Sequence, residues 1–397
     1  MARRPVEAAV RRHGPDYLLL AVLTVLLVIG LIAVYSSSYA LGYAQFGDPN
    51  FFIKKQVLFA VLGLVGMFIA MNVDYRILMK LSPLLMLFAL LGLAAVLLPG
   101  IGFEQNGARR WVALGPLPPL QPSEFAKVAV LIYMAAWLAA KGETVKDFSL
   151  GVMPFVGMVG LIGALIMLEP DMGTAMMVAL ITGTLFFVAG ARLTHLLALV
   201  GSGLVMAVIL ILSHGYRADR LLAFTSAEDD PTGVGFHALQ MLVAFGSGGI
   251  GGLGLGVSRQ KFFYVPGSHT DGVLAIVGEE LGFIGVVVVL LLFVVLLARG
   301  LRIAMRAPDR FGSLLATGVI AWIALQLLIN VGGVTRSIPL TGIPLPFLSY
   351  GGSSLMALLT AVGVLLSVSR YAAIDDPERL PPTRGVVRPS PTPEAGR

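Results

Sequence analysis

Long apolar runs separated by short polar clusters set the pattern of this chain. They cover residues 17–36, 56–73, 81–99, 124–140, 150–168, 173–189, 193–212, 272–297, 312–333 and 351–369. Each is near or above the roughly 20 residues that carry a helix across hydrocarbon, with 173–189 the shortest. None alternates apolar and polar positions as a barrel strand does, and only helices or closed barrels satisfy their backbone in lipid. The pattern predicts an all-α polytopic membrane protein of about ten transmembrane helices. Composition agrees, with 57% hydrophobic and 13% charged residues where a soluble domain is about a quarter charged. Cysteine is absent, which excludes disulfides, thiolate metal sites and a cysteine nucleophile. The first run is long enough to span by itself, and no small-residue cleavage site follows it, so a cleaved signal peptide is not expected.

Charge then orients the spans. If the N-terminus is cytoplasmic, one side collects the arginines of the 1–16 tail, Arg76, Lys80, Lys141, Lys146, Arg192, Arg299, Arg302, Arg306, Arg310 and the C-terminal tail. The opposite side holds the smaller set of Lys54, Lys55, Arg109, Arg110, Arg217, Arg220, Arg259, Lys261 and Arg336. Excess Lys and Arg mark the cytoplasmic face, so both termini are expected there. The chain divides into a basic tail (1–16), a membrane domain (17–371) and a Pro- and Arg-rich tail (372–397) expected to be disordered. Helices 7 and 8 are joined by an extracytoplasmic loop, 213–271, far longer than the usual helix connection of about 2–8 residues. It contains an apolar stretch, His237–Phe245, and a glycine series from Gly246 to Gly256, so it is expected to be partly structured.

Candidate chemistry gathers where that loop enters the next span. Ser258–Gly282 carries Arg259, Lys261, His269, Asp271, Glu279 and Glu280, and ionisable groups in a membrane segment are costly unless they serve a function. Asp271 stands where a helix begins, so capping of that helix and a chemical role are both open. Glu279 and Glu280 lie roughly 12–14 Å further along at 1.5 Å per residue and point to different faces. One is expected to line a cavity and the other to meet a partner helix. Lys127, one turn into the fourth span, is the candidate counter-ion, and a structural pair fixing helix register is as open as a direct role.

Arg109-Arg110-Trp111 reads equally as an interfacial anchor or as a phosphate site, since the guanidinium fork suits phosphate oxygens. Arg217 and Arg220 form a similar pair. Glu169-Pro170-Asp171 reads first as a tight turn. The glycine series does not fit GxxxxGK[ST] and reads as close backbone packing. Residues 338–354, IPLTGIPLPFLSYGGSS, predict a re-entrant or broken helix buried in protein or lining a cavity, with Gln326 and Asn330 of the preceding span facing inward.

These motifs in this order resemble the SEDS family, the FtsW/RodA/SpoVE peptidoglycan glycosyltransferases. The resemblance runs over nearly all of the membrane part. It rests on NGARRW (106–111), QPSEFAK (121–127), EPDMGT (169–174, a variant of the family's Q-P-D-x-G-T) and YRADRL (216–221). It continues through GSGGIGGLGLGVSRQKFFYVP (246–266), HTD (269–271), GEELG (278–282) and TGIPLPFLSYGGSS (341–354). SRQKFFY followed by HTD is more similar to the FtsW/SpoVE branch than to RodA.

The resemblance implies polymerisation of lipid II into glycan strands at the outer face of the bacterial cytoplasmic membrane. The family's essential aspartate falls on Asp271 and its Arg-Trp pair on Arg110 and Trp111. Asp271 is then the expected base, with inversion at the anomeric carbon. Arg109, Arg110, Trp111, Arg217, Arg220, Arg259, Lys261, His269, Lys127, Glu279, Glu280 and Ser349 are candidate substrate contacts. A class B penicillin-binding protein and other divisome or elongasome proteins are the implied partners, and no nucleic acid. No resident cofactor is implied, and a divalent cation (Mg²⁺ or Mn²⁺) accompanying the pyrophosphate stays open. The pattern breaks at Gly267, where Glu is usual, at Gly272, where a bulky aromatic is usual, at Phe236-His237 and at Arg336-Ser337. A lipid II flippase and a non-catalytic scaffold are the competing readings.

Overall fold

The computed structural model describes residues 13–105, 108–113, 118–212 and 235–372, together with Gly115, Phe224, Thr225, Glu228 and Gly233. Arg217, Arg220 and residues 1–12 and 373–397 lie outside these residues. The chain folds into helices α1 (Tyr17–Phe46), α2 (Phe51–Asn72) and α3 (Tyr75–Leu97), then a hairpin of β1 (Gly102–Gln105) and β2 (Ala108–Val112). After it come α4 (Pro122–Lys141), α5 (Met153–Leu168), α6 (Met172–Val188) and α7 (Leu193–Leu212). The rest is α8 (Phe236–Gly248), α9 (Val273–Arg306), α10 (Arg310–Val334) and α11 (Gly352–Ser369).

Among the described residues, nine helices are long and apolar enough to cross a membrane, and α6 is the shorter apolar one. Local chemistry starts them. Asp16, Asp74, Asp171 and Asp309 each cap a helix by accepting a backbone N–H of its first turn, and Pro122 occupies the first turn of α4. Helices α1 and α9 run past the expected 36 and 297, to Phe46 and Arg306, and α2 begins at Phe51, which puts Lys54 and Lys55 on a helix.

The buried centre is formed by α4, α10 and α11, while the membrane-length stretch of α7 buries nothing. Large apolar side chains remain exposed along α1, α2, α3, α7 and α9, as a lipid-facing surface requires. At one end, the Asp16 carboxylate meets Arg299 of α9 at 2.8 Å, and its N–H donates to Ser369 Oγ at 3.2 Å. The start of α1 and the ends of α9 and α11 therefore lie together, and the turn before α9 lies at the opposite, far end.

The glycine series explains how α9 is built. Gly282 has φ 67 and breaks the helix inside its span. In an unbroken helix the carbonyls of Glu279 and Glu280 would accept from Phe283 and Ile284. Here they accept from Leu253 N (3.0 Å) and Gly254 N (2.9 Å), while Phe283 N and Ile284 N donate to the carbonyls of Gly249 (2.9 Å) and Ile250 (3.2 Å). The loop after α8 thus satisfies all four groups that the break exposes, the condition for irregular backbone at membrane depth. The approach is too close for a side chain, since a Cβ on Gly252 would overlap the Glu280 carbonyl.

Residues 338–351 are irregular, as expected for a broken segment. Gln326 Nε2 donates to Pro344 O (2.8 Å) and Asn330 Nδ2 to Ile343 O (2.9 Å). Ser349 Oγ accepts Leu345 N (2.8 Å).

Candidate active site

The turn before α9 is built from residues that the chain cannot easily exchange. Gly267 takes φ 66, and its carbonyl accepts Thr270 N (2.9 Å) and Gly272 N (3.1 Å). Ser268 Oγ donates to Ser37 O of α1 at 3.2 Å. The His269 carbonyl accepts Tyr350 N at 2.8 Å, and its ring packs between Phe52 of α2 (centroids 4.7 Å apart) and Tyr350 (5.5 Å). The Asp271 carbonyl accepts Asn330 Nδ2 of α10 at 3.0 Å. Three helices and the 338–351 segment therefore fix this one turn.

The Asp271 carboxylate is held differently from its backbone. The N-cap of α9 is Gly272, and no side chain caps it, so the capping reading does not apply. Thr270 Oγ1 lies 3.0 Å from Asp271 Oδ1, and among the described residues Asp271 makes no ion pair. The group is partly exposed, as a base must be to reach a substrate. Beside it, burial pushes the His269 imidazole down to about 4, against the pull of Asp271. His269 is therefore neutral near pH 7 and supplies shape rather than charge.

Glu279 and Glu280 pair with the loop preceding the turn. Glu279 accepts Arg259 N (3.0 Å), Gln260 N (3.3 Å) and the Ser258 hydroxyl. Glu280 accepts Ser36 Oγ at 2.6 Å and pairs with Lys261 Nζ at 3.0 Å. Lys261 is buried and also donates to Gly256 O at 2.7 Å. Lys127 is not their counter-ion: it pairs with Glu124 of its own helix at 2.8 Å and lies 4.9 Å from the Trp322 ring centroid. The two glutamates share the task of pinning 258–261, which leaves Arg259 exposed.

The hairpin brings the second set of cations. Arg109 faces Glu104 across the strands at 3.3 Å, and Trp111 opposes Phe103. Arg110 reaches over the 169–171 turn, where Nε donates to Glu169 O at 3.0 Å and a second nitrogen donates to Pro170 O. Asp171 accepts Gln121 Nε2 at 2.9 Å, and Ser353 Oγ accepts Gln121 N at 2.9 Å. A Cβ on Gly173 would touch Ile343 and the Thr341 carbonyl. Asn330 joins Ile343 to Asp271, so the Asp271 turn is fastened to the irregular segment that the start of α6, after the Arg110 turn, lies against.

The sequence had no signal for several of the residues that make this site. Gln56, buried on α2, donates Nε2 to Ser349 O at 3.2 Å and accepts Gly351 N at 3.2 Å. Ser36 and Ser37 could have been suspected from three successive serines at the end of an apolar run. Phe52 and Tyr350 read only as aromatics near an interface.

The FtsW/RodA/SpoVE model, described as cell cycle protein, matches residues 16–374. The chain belongs to this family. It is similar to stage V sporulation protein E of Bacillus subtilis, 48% identical over 91% of this chain and 99% of that protein. It is similar to the probable peptidoglycan glycosyltransferase FtsW of Trichlorobacter lovleyi, 42% identical over 89% and 93%. Among solved structures, a chain of "Structural coordination of polymerization and crosslinking by a peptidoglycan synthase complex" matches with TM-score 0.73 and 29% identity over 90% of this chain and 98% of that one. Rod shape determining protein RodA of Thermus thermophilus matches with TM-score 0.65 and 30% identity over 94% and 100%.

In this FtsW/RodA/SpoVE protein the departures from the family pattern have a local reason at Gly267. A Cβ there would stand 2.6 Å from Asp271 Oδ1 and 2.8 Å from Thr270 Oγ1. At Gly272 a Cβ would press on Val265 at 3.0 Å and on the Gly267 carbonyl at 3.2 Å. Both glycines let the turn close tightly on the carboxylate.

Proposed function

We propose that this protein is a peptidoglycan glycosyltransferase that polymerises lipid II, with both termini cytoplasmic and the far end facing outward. The observation that carries the reading is Asp271, a partly exposed carboxylate on a rigid turn, with Thr270 as its hydrogen-bond partner and free of helix capping. Family membership and relatives named as peptidoglycan glycosyltransferases support it.

In this mechanism Asp271 accepts the proton of the GlcNAc 4-hydroxyl as that oxygen attacks the MurNAc anomeric carbon of a second lipid-linked chain. The new C–O bond forms as the bond to undecaprenyl pyrophosphate breaks, with inversion. The departing diphosphate takes up the negative charge, and cations near it stabilise the transition state. Arg110, Arg259, Arg217 and Arg220 are the proposed pyrophosphate contacts. Lys261, Glu279, Glu280 and Lys127 act through structure, since each is already paired inside the protein. A divalent cation such as Mg²⁺ or Mn²⁺, if one takes part, would arrive on the substrate pyrophosphate, since Mg²⁺ is commonly bound through substrate phosphates. A class B penicillin-binding protein is the proposed partner, in line with a neighbour drawn from a synthase complex.

Purified protein in vesicles with labelled lipid II tests the reading. Glycan strands are expected. Translocation without strands would make it a flippase, and neither activity would make it a scaffold.

A further inference from the structure

The 169–171 turn holds two carboxyl groups with opposite surroundings. Asp171 accepts Thr174 N (3.0 Å), Thr174 Oγ1 (2.8 Å) and Gln121 Nε2 (2.9 Å). Three donors and the N-terminus of α6 surround its carboxyl group. Glu169 is wholly buried, and neither of its carboxyl oxygens has a hydrogen-bond partner. A buried carboxylate with no donors is costly, and the group takes up a proton instead.

Arg110 could have supplied the missing donors and does not. Its guanidinium bonds the main-chain carbonyls of Glu169 and Pro170, and it forms no ion pair among the described residues. The cation is thus anchored by neutral acceptors at the end of the bundle that carries Asp271. The charged groups acting on Glu169 are Asp171 of its own turn and Arg110 of β2. The 341–343 segment contributes neutral Thr341 and Ile343, and the start of α4 contributes neutral Gln121 and the buried Glu124–Lys127 ion pair. Burial first, then Asp171, push Glu169 up to about 8, and Arg110 opposes them.

We propose that Glu169 is a positioning residue which, as a neutral acid, leaves the Arg110 charge free for a lipid-linked pyrophosphate, and which on ionising draws that charge inward. The proposal rests on the pyrophosphate reading of the far end. It makes this site sensitive to alkali through one buried group that never touches the substrate. Linkage makes the effect reciprocal: whatever factor ionisation of Glu169 costs in anion affinity, a bound anion adds to the stability of the protonated form.

The test uses full-length protein in nanodiscs and undecaprenyl pyrophosphate as the probe. Infrared difference spectra of wild type against Glu169→Gln should show a protonated-carboxyl band that disappears between about pH 7 and about pH 9, and moves about one unit upward when the probe binds. Probe affinity of the wild type should fall about tenfold over the same interval, while that of Glu169→Gln stays level. Arg110→Gln should bind weakly at both pH values. Absence of the band near neutral pH overturns the neutral acid. A titrating band with parallel affinity curves for wild type and Glu169→Gln overturns the positioning role. Neither readout needs polymerisation, so a failure of the glycosyltransferase reading shows up separately, as absent glycan strands with the infrared and binding results unchanged.

Discussion

Replacing Gly267 by alanine places a methyl group against the proposed base. The added carbon would stand 2.6 Å from Asp271 Oδ1 and 2.8 Å from Thr270 Oγ1. Ordinary van der Waals contact begins at 3.4 Å, so the carboxylate oxygen must retreat by about 0.8 Å, the difference between 3.4 and 2.6. Misplacement by about 1 Å costs up to about 10²-fold in rate. The left-handed backbone at φ 66 adds a strain of about 1–2 kcal/mol for a residue with a side chain. We therefore expect kcat for strand formation to drop by about 10- to 100-fold with KM within about twofold, because the proposed diphosphate contacts are untouched.

Gly267→Asn separates the two causes, since asparagine tolerates the left-handed region better than alanine and still carries the Cβ. It should be as slow as Gly267→Ala while melting at a higher temperature. The assay is polymerisation of labelled lipid II by purified, monodisperse protein. Wild-type kcat in a folded Gly267→Ala protein would show that the Asp271 carboxylate is not held by the Gly267 turn.

Three further outcomes follow from the same geometry. Lys261→Met or Glu280→Gln alone leaves a buried partner unpaired and should cost about 3–5 kcal/mol, whereas the double variant should recover a large part of that in thermal melts; additive losses would contradict the pairing. Gly252→Ala drives a methyl into the Glu280 carbonyl at a position with φ 81 and should lower the melting temperature sharply, against a negligible change if the stitch across the α9 break carries no load. His269 ionises lower in the folded protein than in the unfolded chain, at about 4 against 6.5, so the unfolded state binds more protons between those values and stability falls as pH drops through them. That slope should flatten in His269→Gln, and identical pH–melting curves for the two proteins would count against a buried neutral imidazole.

The spans were legible because lipid leaves a helix few ways to disguise its apolar runs, and those runs reproduce the helices apart from their ends. Polar helix ends hide from that signal. Ser36, Ser37 and Ser38 terminate an apolar run, yet α1 continues to Phe46 to deliver Ser36 to Glu280 and Ser37 to Ser268. The mispairing of Lys127 had a local remedy: Glu124 stands three residues earlier on the same helix, and i,i+3 neighbours face each other. Lys261 had none. Its partnership with Glu280 depends on the break at Gly282 and on the glycine loop that closes it, neither of which a spacing rule anticipates. Glu169 reads as turn chemistry because its turn is one; only the packed structure, with Arg110 on the carbonyls rather than on the carboxyl group, separates it from Asp171.

Asp271→Asn asks whether the Asp271 carboxylate accepts a proton during glycan transfer. Asparagine keeps the size of the side chain and can keep the Thr270 contact, so the turn and the melting temperature should stay near those of the wild type. Purified Asp271→Asn protein given labelled lipid II should bind it normally and make no glycan strands above background. Strands at the wild-type rate would show that Asp271 is not the base.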